Sequence, residues 1–105
     1  MTATAKKLYG GTLSTSAGTV LYTVPSSTVT VVTSLMICNK TGTAATITMA
    51  FDGVTLFSAA TVNAGETWLI GPGDVRQVMA TTTTITASAG TSATIDVRIS
   101  GAEIT

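Results

Sequence analysis

The chain has 105 residues, five basic and five acidic side chains, no histidine, one cysteine and a formal net charge of zero. That length suits one domain with a core stable without metal or disulfide; the single cysteine excludes an intrachain disulfide, and the missing histidine removes the commonest general base and metal ligand. Charged residues make up 10%, against about 25% in an ordinary soluble domain, and an uncharged surface of Thr, Ser, Ala and Gly lacks the repulsion that keeps copies apart, so it favours association.

Residues 1–18, MTATAKKLYGGTLSTSAG, have no sustained period and read as an extended N-terminal arm ahead of a domain over residues 19–105. An arm gains order from a partner, which makes Leu8, Tyr9 and Leu13 candidate anchors on another subunit. Lys6 and Lys7 read as a solvated pair, since nucleic-acid binders neutralise many phosphates. No apolar stretch follows the lysines as in a secretory leader, and no apolar run approaches the roughly 18 residues of a membrane span, so the expected product is soluble and made in the cytoplasm.

Residues 20–39, VLYTVPSSTVTVVTSLMICN, carry two strand signals separated by Pro25, Ser26 and Ser27. Leu35 and Ile37 point one way and Met36 and Cys38 the other. This end of the second strand is therefore expected to be covered on both sides, by a second sheet and by an arm or neighbouring subunit. After a turn over residues 40–43, Ala45, Ile47, Met49 and Phe51 alternate with polar or small residues. Asp52-Gly53 between two apolar segments predicts a type I′ hairpin. Residues 58–63 read as an edge segment, and residues 64–66 turn the chain into Thr67-Trp68-Leu69-Ile70. Gly71-Pro72-Gly73-Asp74 predicts a corner between sheets. Residues 75–80, 81–89 and 93–100 complete the strands, with residues 81–84 read as a wet edge.

No stretch has helical periodicity over ten residues. The expected fold is all-β, a single-domain β-sandwich or jelly roll of about seven to eight antiparallel strands with an extended N-terminal arm.

No residue pattern announces chemistry. Cys38 has no imidazole to form its thiolate and reads as a small buried hydrophobe. The acids Asp52, Glu66, Asp74, Asp96 and Glu103 are separated by turns or strands, so no oxygen-ligand cluster for a cation is expected. Asp96 and Arg98 read as a solvated pair. Arg76, beside the proline corner, is a candidate interface arginine. Asn39-Lys40-Thr41 matches a glycosylation acceptor by chance. Aromatic and basic residues are too few for a nucleic-acid stacking platform, and Trp68 is either the core anchor of a short strand or an interface aromatic. The expectation is a protein with no catalytic residues, no cofactor, no metal, no small-molecule substrate, and no nucleic-acid or membrane partner.

The segment LYTVPSSTVTVVTSLMICNKTGTAATITM resembles a pattern common in small virion proteins of tailed bacteriophages: an "LYTVP" opening, a β-branched strand ending in "CN" or "AN", a polar turn and a Thr-rich alternating strand. NAGETWLI is similar to that group's "AGET" turn and following strand, and ISGAEI resembles its "SGxEI" close, so the likeness runs over residues 21–104. Two departures are a short stretch over residues 52–63 and a "GD" turn placed inside Gly71-Pro72-Gly73-Asp74. The resemblance implies a β-sandwich structural protein of the virion in many copies. Its first reading is a capsid cement or decoration protein that binds the major capsid protein as a homo-oligomer, a trimer, with Leu8, Tyr9, Leu13, Met36, Cys38, Trp68 and Arg76 as interface residues. The alternative is a neck, tail or fibre-attachment protein, and the third reading is a carbohydrate-binding or host-adhesion module.

Overall fold

Where apolar side chains alternate with threonine, one face of a strand is suited to a core and the other to water, and such segments build the fold. The computed structural model describes residues 3–70, 77–91 and 94–105. Its strands are β1 (Ala3–Thr12), β2 (Val20–Thr23), β3 (Val29–Asn39), β4 (Ala45–Phe51), β5 (Val54–Val62), β6 (Thr67–Ile70), β7 (Gln77–Met79), β8 (Thr84–Ala89) and β9 (Ile95–Ile104). No helix occurs among the described residues.

Two antiparallel sheets form a β-sandwich. The first has the order β1-β9-β3-β6, with β7 also paired to β3, and the second has the order β2-β8-β4-β5. The pairs nest: β4 with β5, β3 with β6 and β7, β2 with β8, and β1 with β9. The topology is thus one long hairpin folded across itself, with its innermost turn at Asp52-Gly53. Both residues there have positive φ, 53° and 73°, as a type I′ turn requires.

The core lies between the sheets. Val32, Leu35, Ile37, Ile95, Val97 and Ile99 come from the first sheet, and Ile47, Met49, Phe51, Ile85 and Ala87 from the second. Fully burying each large aliphatic side chain contributes about 1.5–3 kcal/mol. Cβ-free Gly101 is needed where β3 bulges between Val32 and Ser34, because a Cβ there would collide with the Val31 carbonyl.

Several expectations change. Residues 3–12, read as part of the arm, form an edge strand of the chain's own sheet, paired from Ala3↔Ile104 to Thr12↔Asp96. Pairing with β9 gives the backbone on one side of this strand its partners within the chain. Residues 58–62 continue β5 rather than forming a separate segment. The tract read as a wet edge is instead a turn at Thr81 and Thr82, the latter at φ 66°, followed by β8, which lies between β2 and β4. The corner at residues 71–74 lies outside the described residues.

Candidate functional site

Alternation along β3 divides the long apolar run as the sequence suggests. Leu35 and Ile37 are buried against the second sheet, while Met36 and Cys38 are half-buried on the outer face. Register brings unanticipated residues beside them: Leu69 of β6 pairs with Met36 on one side, and Arg98 of β9 on the other. Leu69 is 75% exposed. The outer face of the first sheet therefore holds a shallow trough across the strands. Two adjoining hollows share Met36 and Arg98: one of about 260 Å³ bounded by Leu69, the other of about 350 Å³ bounded by Lys7 and Gly10. Gly10 borders the second hollow beside the Lys7 side chain, the nearest group that a Cβ there would meet.

The electrostatics of this face differ from the sequence reading. Asp96 does not pair with Arg98; its Oδ1 lies 3.2 Å from Lys40 Nζ and accepts a hydrogen bond from Thr12 Oγ1. The Thr12 bond, then Lys40, hold its carboxyl below the usual range against the opposing effect of desolvation. Among the described residues, Lys7 and Arg98 face no carboxylate within ion-pairing distance.

The anchors assigned to another subunit are used within the chain. Leu8 and Leu13 are buried in its core, and Tyr9 packs against the same cluster, with its hydroxyl beside Gly11. The cause is the pairing of β1 with β9, which turns this side of the strand inward. Arg76 lies outside the described residues.

Trp68 is half-buried on the inner side of β6, its ring 5.5 Å from that of Phe57 and tilted by 52°. Its Nε1 donates to Glu66 Oε1 at 2.8 Å. That bond, with the backbone N–H of Asn63, lowers the Glu66 pKa. An indole so held closes the sandwich where β5 meets β6 and leaves little face for a sugar ring.

At the opposite seam, between β1 and β2, the closure is polar. Tyr22 donates to Glu103 Oε2 and shares a 2.8 Å hydrogen bond with the Thr30 hydroxyl. Lys6 Nζ lies 3.3 Å from Glu103 Oε1, so Lys6 is not merely a solvated charge. Desolvation, then the bond to Glu103, push the Tyr22 phenol up to about 12. The bond from Tyr22 is the main cause that lowers the Glu103 carboxyl.

Asn39 is also structural. Its buried side chain donates to the carbonyls of Thr43 and Val62 and accepts from the backbone and hydroxyl of Thr41. A glycan cannot be carried by an amide so enclosed.

The outer face of the second sheet presents Thr46, Thr48, Thr84, Thr86 and Ser88. None of its four strands contains a charged residue. Among the described residues, the strand charges belong to β1 and β9. Sequence alternation marked these threonines as outward-facing, but assigning them to a single sheet required the pairing order. No group of three or more His, Cys, Asp or Glu residues suited to a metal occurs among the described residues.

No family model matches the chain, and no curated protein or solved structure matches it.

Proposed function

We propose that the chain is a non-enzymatic structural protein of a virion, a cement or decoration protein that binds the outer surface of a phage head as a homo-oligomer. The observation that carries this reading is the separation of charge between the sheets: the second presents a neutral, hydroxyl- and methyl-bearing surface with no charged strand residue. Such a face approaches a protein lattice without burying an unpaired charge, which would cost several kcal/mol. Repeated engagement by an oligomer multiplies weak contacts through effective concentration.

The nested pairing of β1 with β9, β2 with β8, β3 with β6 and β7, and β4 with β5 supports reading the sandwich as a jelly roll. This architecture occurs in viral capsid and lectin domains. Fold alone does not choose between them, but the inward packing of Trp68 on Phe57 favours the structural role over sugar binding. The sequence likeness over residues 21–104 to small phage virion proteins points the same way, with the major capsid protein as partner.

The test is to count copies of the chain on purified particles by quantitative mass spectrometry and to challenge particles with and without it by heat. Hundreds of copies and earlier rupture of particles lacking the chain are expected. One or two rings of copies would move the protein to the neck or tail, and absence from particles would overturn the virion reading.

A further inference from the structure

We propose that copies of this chain join head to tail, with the β4–β5 hairpin of one copy seated in the outer trough of the next. The inference rests on the self-associating reading above and identifies the two surfaces that meet. It begins with ionic groups left over inside the monomer. Of the described acids, Glu66 is held by Trp68 and Asn63, Asp96 by Thr12 and Lys40, and Glu103 by Tyr22 and Lys6. Asp52 alone has neither an ion pair nor a side-chain hydrogen bond among the described residues. Of the described cations, Lys6 and Lys40 are engaged, leaving Lys7 and Arg98 at the trough.

The apolar groups are divided in the same way. Next to Asp52 on the hairpin, Val54 is 70% exposed and Leu56 is 39% exposed. In the trough, exposed Leu69 and half-buried Met36 lie beside Arg98. One surface therefore offers a carboxylate with aliphatic side chains, and the other offers two cations beside an apolar floor. The hairpin belongs to the second sheet and the trough to the outer face of the first, so a chain cannot fill its own trough. A contact between unlike surfaces is heterologous. It closes into a ring if the rotation between copies permits and otherwise grows as a filament.

The decisive experiment measures mass against concentration by light scattering for the full chain and three variants: Asp52→Lys, the double variant Lys7→Glu/Arg98→Glu, and the triple variant combining them. Circular dichroism checks that each variant folds, and because Asp52 lies at φ 53°, where lysine is disfavoured, Asp52→Asn, which tolerates that conformation, should also weaken association. Each reversal is expected to weaken association by about tenfold or more, because like charges then meet, and the triple variant should recover most of it. Mixing the Asp52→Lys chain with the Lys7→Glu/Arg98→Glu chain should restore association, with the two chains alternating, because the original pair and the reversed pair of charges each form between unlike chains.

Unchanged association in either reversal, or no complex on mixing, would overturn the contact. A wild-type chain that remains monomeric while many copies are counted on particles would also overturn it, and would leave the proposed virion role standing. A wild-type chain that self-associates but is absent from particles would do the reverse.

Discussion

The sandwich is closed along its two long seams by opposite chemistries. Where β5 meets β6, Phe57 and Trp68 pack ring against ring, with one hydrogen bond from the indole to Glu66. Where β1 approaches β2, Tyr22, Thr30, Glu103 and Lys6 form a chain of hydroxyl, carboxylate and ammonium groups. The aromatic seam depends mainly on buried area, with its link to pH confined to the indole's bond to Glu66, which lowers that carboxyl. The polar seam depends on protonation state, because each member needs a particular partner. The group whose titration is raised, Tyr22, lies at this polar edge, and the lowered carboxyl of Glu103 lies beside it.

Trp68→Ala should have the largest effect on this contrast. It removes a half-buried aromatic and leaves Phe57 without its stacking partner, and we expect about 3 kcal/mol of lost stability by urea denaturation. A loss no larger than that of an exposed residue would show that the aromatic seam does not hold the sheets together.

Tyr22→Phe should cost less, about 1.5 kcal/mol, because it removes the hydroxyl shared by buried Thr30 and Glu103 while retaining the ring. It should also alter the alkaline response. The folded phenol has a raised pKa, so the unfolded chain loses this proton first, and wild-type stability should fall as pH rises from 10.0 toward about 12. The variant should be flatter over that interval in denaturation curves.

Glu103→Gln should have the smallest effect at neutral pH and its clearest effect in acid. The folded Glu103 carboxyl titrates below its ordinary 4.5. Its stabilising contribution is therefore present above 4.5 and is lost as pH falls through the depressed folded value. The variant should be less stable than wild type near pH 7 and converge with it in acid. Parallel melting temperatures from pH 7 to 2 would remove Glu103 from the account. Glu66 and Asp96, also depressed, keep part of the acid response in both proteins.

The sheet class, most turns and the inward residues of β3 and β4 were legible because period-two alternation directly encodes which side of a strand is wet. The Asp52-Gly53 hairpin was legible for a different reason: a two-residue turn with positive φ leaves few residue choices. Residues 3–12 were misread because their strand turns only Leu8 and Tyr9, neighbours in sequence at a bulge, toward the core and has small or polar residues elsewhere. A strand stabilised mainly by backbone pairing leaves little side-chain pattern. The trough was hidden because Lys7, Met36, Leu69 and Arg98 come from four strands. Their approach depends on register, including bulges on β1 and β3, that no local window contains.

The nested pairing also bears on the order of folding. The β4–β5 hairpin closes the shortest loop and can form as soon as both strands exist. The pairing of β3 with β6 and β7, of β2 with β8 and of β1 with β9 encloses progressively longer segments, each at a higher loop-closure entropy than the last. During synthesis β1 emerges ahead of the other described strands, yet must wait for β9 before any described strand partner is available to it. The chain should therefore zip from its middle outward, and its earliest-made strand should be the last to find its place.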